Sequence, residues 1–371
     1  VKQKSQSCTM KKTSIGGQAL IEGIMMRGPE NTAMAVRNTK GEIVLEITPT
    51  AKPPKYRLLR APFFRGMVNF ILSMKEGYRC LMRSAEISGL EELEEEERRR
   101  KAEKKQARAQ KKKKPQEPAA AEADTPAEEP TAEGQKEEKK ESGVMTTMVM
   151  IVSVVLGVAL AIGLFTLLPV YTFRGLAYLF PALEPRNEIW ASLIKSVVEG
   201  LIRIAILVAY MGLMTLMKDI RRTFQYHGAE HKTIFCYEHG KELTVENVRG
   251  EGRFHPRCGT SFLILMLLVS IFVTFFIDPL FLLTLGYVPS SMIRVLVKLL
   301  LLPLIMGIGY ELIRLAGRHN NAFTRIISAP GVWLQHITVL EPTDDMIECA
   351  LAAFIEAMPE DERPARQSEE S

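Results

Sequence analysis

Residues 227 to 232 read HGAEHK, and two histidines four apart with a glutamate before the second can do chemistry. On a helix, positions i and i+4 project from one face about a turn apart, so His227 and His231 can approach one cation. Glu230 could then hold a water and take its proton as the metal lowers the water's pKa. A second pair, His255 and Cys258 in HPRC, follows downstream. A hairpin through the Gly- and Arg-rich stretch between the pairs would bring them together. All four residues bound would make a closed site of the structural zinc kind, whereas three bound would leave a position open for chemistry. A third reading, two polar-loop histidines without metal, stays open at this level.

The string also fits H-x-x-E-H, the pattern of the inverted zincin peptidases. Those enzymes take a carboxylate ligand from a helix well downstream in a large soluble fold. Here the next long segment is apolar, so peptide hydrolysis is disfavoured. His319 in GRHNNAFTR and His336 beside Trp333 are weaker candidates, better suited to interfacial packing. Cys349 falls on the apolar face of a helix in EPTDDMIECALAAFIEAM, whose acidic first turn suits the helix dipole. Cys8 and Cys236 have no partners in sequence, and the glycines of GGQ at 16–18 read as permitting a tight backbone. Five cysteines, odd in number and widely spaced, argue against a disulfide framework and for a reducing compartment.

The elements that must position these residues are strongly segregated. The chain has 371 residues and a net charge of +5; 47% is hydrophobic and 25% charged, and the two kinds are kept apart. Its first residues show no apolar core or cleavage site of a signal peptide. Residues 1–89 contain a small α+β unit: AMAVRN and EIVLEI flank NTKG as a β-hairpin, and Pro62 to Ser88 has helical spacing. That helix is expected to pack on its own hairpin, with an anionic membrane surface as the alternative. Residues 90–142 are a charged, disordered linker without aromatics. Its KKKK run lies between acidic blocks, so no nucleic acid is expected as a partner.

Four segments, Val144–Tyr171, Leu193–Met217, Ser261–Leu285 and Met292–Leu315, are each long enough to cross a bilayer, which needs about 20 residues. Lys and Arg flank them on one side, which puts both termini and the 218–260 loop in the cytosol. Lys195, Glu199, Arg203, Asp278, Arg294 and Lys298 fall at similar depth. They read as an ion-pair staple between helices, or as an ion path.

GGQALIEGIMMRGP, HGAEHKTIFCYEHG, NVRGEGRFHPRCGTSFL, APGVWLQHIT and EPTDDMIECA together resemble the YqhQ-like family of bacterial membrane proteins, a domain of unknown function (number 1385) labelled a predicted metal-dependent enzyme. The resemblance covers nearly everything except 90–142. It implies a bacterial inner-membrane location and points to His227, Glu230, His231, His255 and Cys258.

The expected fold is a mainly α-helical polytopic membrane protein: the N-terminal α+β unit, the linker, a four-helix transmembrane region over 143–315 and a C-terminal cytosolic segment over 316–371. The expected function is binding of a divalent metal, zinc first, at a cytosolic membrane-proximal site, with Glu230 as the catalytic base of a hydrolase. The alternatives are a non-catalytic scaffold or assembly factor pinned by structural zinc, and a small transporter resting on the intramembrane charges. The bilayer is the expected partner beside an unknown protein; substrate and oligomeric state lie beyond the sequence.

Overall fold

Alternation of large and small side chains builds the N-terminal strands, and the computed structural model describes residues 13–51, 56–57, 60–61, 64–89, 148, 152–319 and 321–363. The linker at 90–142, Cys8, Pro62 and the start of the first expected span lie outside these residues. Strands β1 (Gly16–Leu20), β2 (Gly23–Arg27), β3 (Asn31–Arg37) and β4 (Ile43–Pro49) form an antiparallel meander in chain order. The expected hairpin is β3–β4: the Asn38 side chain accepts from Lys40 and Glu42 N–H, and Gly41 takes the positive φ (86°) that favours glycine.

The sheet is covered on both faces. Pairing of Ile24 with Ala35 and Met26 with Ala33 puts these four on one side, while Met25 opposite Met34 faces the other. The second face is closed by α1 (Phe64–Ile87) through Cys80. The first is closed by α4 (Lys218–Glu238) and α9 (Asp344–Ala357), which contribute Tyr226, Ala229, Ile234, Met346, Ala350 and Phe354 to one core. Residues 13–89 therefore share a core with segments from two distant parts of the chain. Helix α1 does more than pack on its hairpin. Its N-terminal half lies on the long helices instead.

Among the described residues, four helices are long and apolar enough to cross a bilayer: α2 (Val152–Leu179), α3 (Glu188–Met214), α6 (Gly259–Leu285) and α7 (Ser291–Arg318). The described residues fall into two compact units, α2 up to Leu176 and the remainder. Helix α2 runs on past Tyr171, the expected end of the first span, to Leu179, and Gly163–Leu167 form one π turn ahead of Pro169. A proline lacks the N–H and crowds the preceding turn, so the chain widens there. Short α5 (Val245–Arg249) precedes α6, and α8 (Ala322–Thr338) returns along α6 and α7.

Four of the charges inside the spans, Glu199, Arg203, Asp278 and Arg294, form two ion pairs. Asp278 accepts from Ser192 Oγ at 2.7 Å and from Arg294 Nε at 2.8 Å, joining α3, α6 and α7. Glu199 and Arg203 pair at 3.0 Å one turn apart on α3. Removing one partner of a buried ion pair costs about 3–5 kcal/mol. Asp278→Ala is therefore expected to lower the thermal unfolding midpoint in detergent well beyond the change for Thr284→Ala near the end of the same helix.

Candidate metal centre

Helix α4 starts almost directly after α3, so HGAEHK lies in the middle of a helix rather than on a loop. Every residue from Tyr226 to Ile234 is buried, and this segment is enclosed on all sides. Gly228 allows the enclosure: a Cβ there would lie 1.9 Å from the backbone oxygen of Leu340, which passes against the helix. Gly17 does the same on the other side, where a Cβ would meet Glu230 Cδ at 2.9 Å.

The helical spacing places the His227 and His231 rings 4.5 Å apart, edge to face. Cys258 arrives from the N-cap of α6, where the helix dipole favours a negatively charged ligand atom. One nitrogen of each histidine and the Cys258 sulfur lie within 4.8 Å of one another. Zinc held tetrahedrally at ~2.0–2.3 Å from each ligand needs separations of about 3.3–3.6 Å, inside that bound.

The hydrogen bonds orient this set. His227 Nδ1 meets Thr338 O at 2.9 Å and His231 Nδ1 meets Arg253 O at 2.5 Å. A carbonyl only accepts, so both Nδ1 atoms carry the proton and both Nε2 atoms present lone pairs. Such backbone partners orient metal-ligating histidines. His227 Nε2 faces Cys258 Sγ at 3.1 Å. His231 Nε2 is buried without a hydrogen-bond partner, and so is Glu230 Oε2. Burial pushes the pKa of His231 down, keeping it in the neutral form a ligand needs. Burial also pushes the Glu230 carboxyl above its usual range, against the opposing effects of His227 and the Gly17 N–H. Two orphaned polar atoms beside a His–His–Cys donor set fit a divalent metal, since burying them costs free energy unless a partner is supplied.

Glu230 Oε1 accepts from Gly17 N at 3.0 Å, which leaves Oε2 as the unpartnered oxygen of the carboxylate. The two strand-like residues Gly16 and Gly17, Glu230, His231, Cys258 and Tyr310 share a cavity of about 540 Å³. This volume suits a small-molecule ligand or a headgroup.

His255 stands apart from the three-residue donor group. Its Nε2 lies 3.5 Å from Glu238 Oε2 and its Nδ1 accepts from Arg257 N at 3.3 Å. Glu238 also pairs with Arg257 and accepts from Thr13 N. Burial alone would raise the Glu238 carboxyl, but these bonds outweigh it and hold its pKa at about 2. His255 lines the same cavity and is fixed through its backbone by Gln335, which accepts from His255 N and donates to His255 O, both at 2.8 Å. Elsewhere, His239 pairs with Glu251, and His336 stacks on Phe254 at 4.3 Å.

Sequence reasoning missed Glu238, Gln335 and Thr338. Glu238 closes the same helix that carries the histidines, three turns beyond His227, and its place on a buried helix face was a usable signal. Gln335 and Thr338 carried none, because their part is played toward backbone atoms of segments far away in sequence.

The family described as "Protein of unknown function (DUF1385)" matches residues 61–360. The chain is 31% identical over 347 residues, 92% of each chain, to "Uncharacterized protein YqhQ" of Bacillus subtilis (strain 168). No solved structure matches it significantly.

Proposed function

We propose that this chain, which belongs to the DUF1385 family, is an inner-membrane hydrolase that holds a divalent metal, zinc, at a cytosolic membrane-proximal site. The observation that carries the reading is the pair of buried unpartnered atoms, His231 Nε2 and Glu230 Oε2, beside His227 and Cys258. His227, His231 and Cys258 would hold the ion, and mixed imidazole and thiolate donors favour zinc over magnesium or calcium. Three protein ligands leave one position open, as in catalytic rather than structural zinc sites. The ion would supply Lewis-acid polarisation of a substrate oxygen and acidify water.

The chain's own residues do the rest. The Gly17 N–H holds Glu230 Oε1, so Oε2 takes the proton of the attacking water. A buried carboxyl holds that proton long enough to pass it to the leaving group, the general acid–base role. His255, clamped by Glu238 and Gln335, forms a fixed wall of the cavity rather than a ligand. The basic residues flanking the spans support a cytosolic position for this end.

Metal analysis tests the reading. Wild-type protein purified in detergent and dialysed against metal-free buffer is expected to retain one equivalent of zinc by mass spectrometry. His227→Ala/His231→Ala should retain at least tenfold less. A wild type that carries no stoichiometric metal, even after incubation with zinc, sinks the proposal.

A further inference from the structure

Helix α1 shows a face that no other described residue covers. Gly66, Gly77, Cys80 and Ser84 are buried along one side. On a different side Phe64, Ile71, Met74, Tyr78 and Met82 follow at spacings of seven, three, four and four, a single row along the helix. They are 47%, 55%, 58%, 64% and 45% exposed, and no described residue covers them. Five large apolar side chains in a row form a contiguous patch that marks an interaction site.

Where α1 is fastened indicates what lies against that row. A Cβ at Gly66 would sit 2.7 Å from the Tyr310 side chain, so α1 meets α7 at backbone distance. Arg65 makes a two-pronged pair with Glu311, and Asn69 donates to the Tyr310 hydroxyl at 2.8 Å. Phe70 packs on Phe262 of α6 with ring centroids 5.7 Å apart. Tyr310 and Glu311 lie toward the end of α7 and Phe262 near the start of α6, so α1 departs from one end of the two long apolar helices. Helix α8, packed on the same two helices, likewise turns Phe323, Ile326 and Trp333 outward, 58%, 72% and 55% exposed. Charge adds a preference. Of the basic residues on α1, Arg65, Arg79 and Arg83 pair with Glu311, Glu76, Glu46 and Glu86, and Lys75 remains beside the apolar row to meet an anionic surface.

We infer that α1 lies in the plane of the membrane surface, with its apolar row sunk into the boundary between headgroups and acyl chains of an anionic bilayer. An amphipathic helix with basic residues beside its apolar face binds such surfaces through apolar burial plus attraction to anionic lipid. Helix α1 is fastened at one end of two helices long and apolar enough to span the bilayer, which gives the bilayer a claim that a soluble protein or a second copy lacks. Ser73 and Glu76, on the other side of the same helix, line the cavity of the candidate metal centre. The mouth of that cavity is thereby held at headgroup level.

Full-length protein in nanodiscs tests this without any reference to metal or turnover. Ile71→Trp and Tyr78→Trp are compared with Glu86→Trp on the charged side of α1, each after subtraction of the wild-type signal from Trp190 and Trp333. In nanodiscs with 30% anionic lipid, brominated acyl chains are expected to quench the first two at least twofold more than Glu86→Trp. Acrylamide should show the reverse order. Equal quenching by bromolipid at all three positions overturns the inference, as does protection of Ile71→Trp and Tyr78→Trp from both quenchers, which would mean a protein covers the row. The bromolipid effect should weaken in pure phosphatidylcholine, and an unchanged effect there overturns the anionic preference. None of these outcomes depends on whether zinc is bound, so failure here and failure of the hydrolase reading are separable.

Discussion

Replacing Glu230 by Gln is expected to cut the proposed hydrolysis by orders of magnitude while leaving the proposed metal in place. Amide and carboxylate are nearly the same size, and Gly17 N can donate to the amide oxygen as it does to Oε1. Neither His227, His231 nor Cys258 loses a contact with the backbone or with each other. What disappears is the buried, unpartnered carboxylate oxygen beside the donor set. General acid–base groups contribute about 10²–10⁴-fold, and the loss in kcat should fall in that range. The measurement needs wild-type activity on a panel of chromogenic esters and phosphoesters, followed by Glu230→Gln on the best of them with zinc content determined on the same sample. Retained zinc with retained turnover removes Glu230 from the chemistry. It would favour the scaffold reading, in which the metal merely ties α4 to α6.

Gly228→Ala should act in the opposite manner, through structure rather than chemistry. The added methyl would fall 1.9 Å from Leu340 O, well inside contact distance. That oxygen belongs to a segment laid along α4, since Leu340 N donates to Phe224 O at 2.9 Å. Forcing the segment outward pulls Thr338 O away from His227 Nδ1 and Glu341 away from Lys232. Overpacking of this kind costs about 3 kcal/mol at the upper end of its usual range. Loss of the partner that orients a ligand costs ~10–100-fold in metal affinity. The variant should therefore show both a lower thermal midpoint and weaker zinc retention. Gly252→Ala is the control, because a Cβ at that exposed position meets nothing within 4 Å. If Gly228→Ala binds zinc like wild type, the tight approach of the 338–341 segment is not what positions His227.

Much of the architecture was legible from pattern alone. Runs of about 20 apolar residues have few alternatives to a spanning or deeply buried helix, so the four long helices were visible to within a few residues at most ends. Glu188 begins α3 five residues earlier than expected, because Asn187 caps it with bonds to Ile189 and Trp190 N–H. The β3–β4 hairpin was readable from NTKG, whose glycine takes the positive φ. By contrast β1 and β2 are short and glycine-containing, and their role appears only when α1, α4 and α9 close over them.

The candidate site divides along the same line. The spacing of His227 and His231 put them on one face of any helix formed there, since it is local and a helix repeats every 3.6 residues. Through GAEH the sequence also placed a carboxylate next to the second histidine. Only the tertiary structure decided that Cys258 joins them while His255 turns to Glu238, because HPRC can present either residue depending on where α6 begins. Only the tertiary structure supplied Gly17, Thr338, Arg253 and Gln335 as the groups that aim Glu230, the two imidazoles and the HPRC loop. The reason is physical. Helical periodicity acts over a few residues and is written in their order, whereas a backbone carbonyl is the same in every residue. Which carbonyl or N–H meets a side chain is set by how distant segments pack.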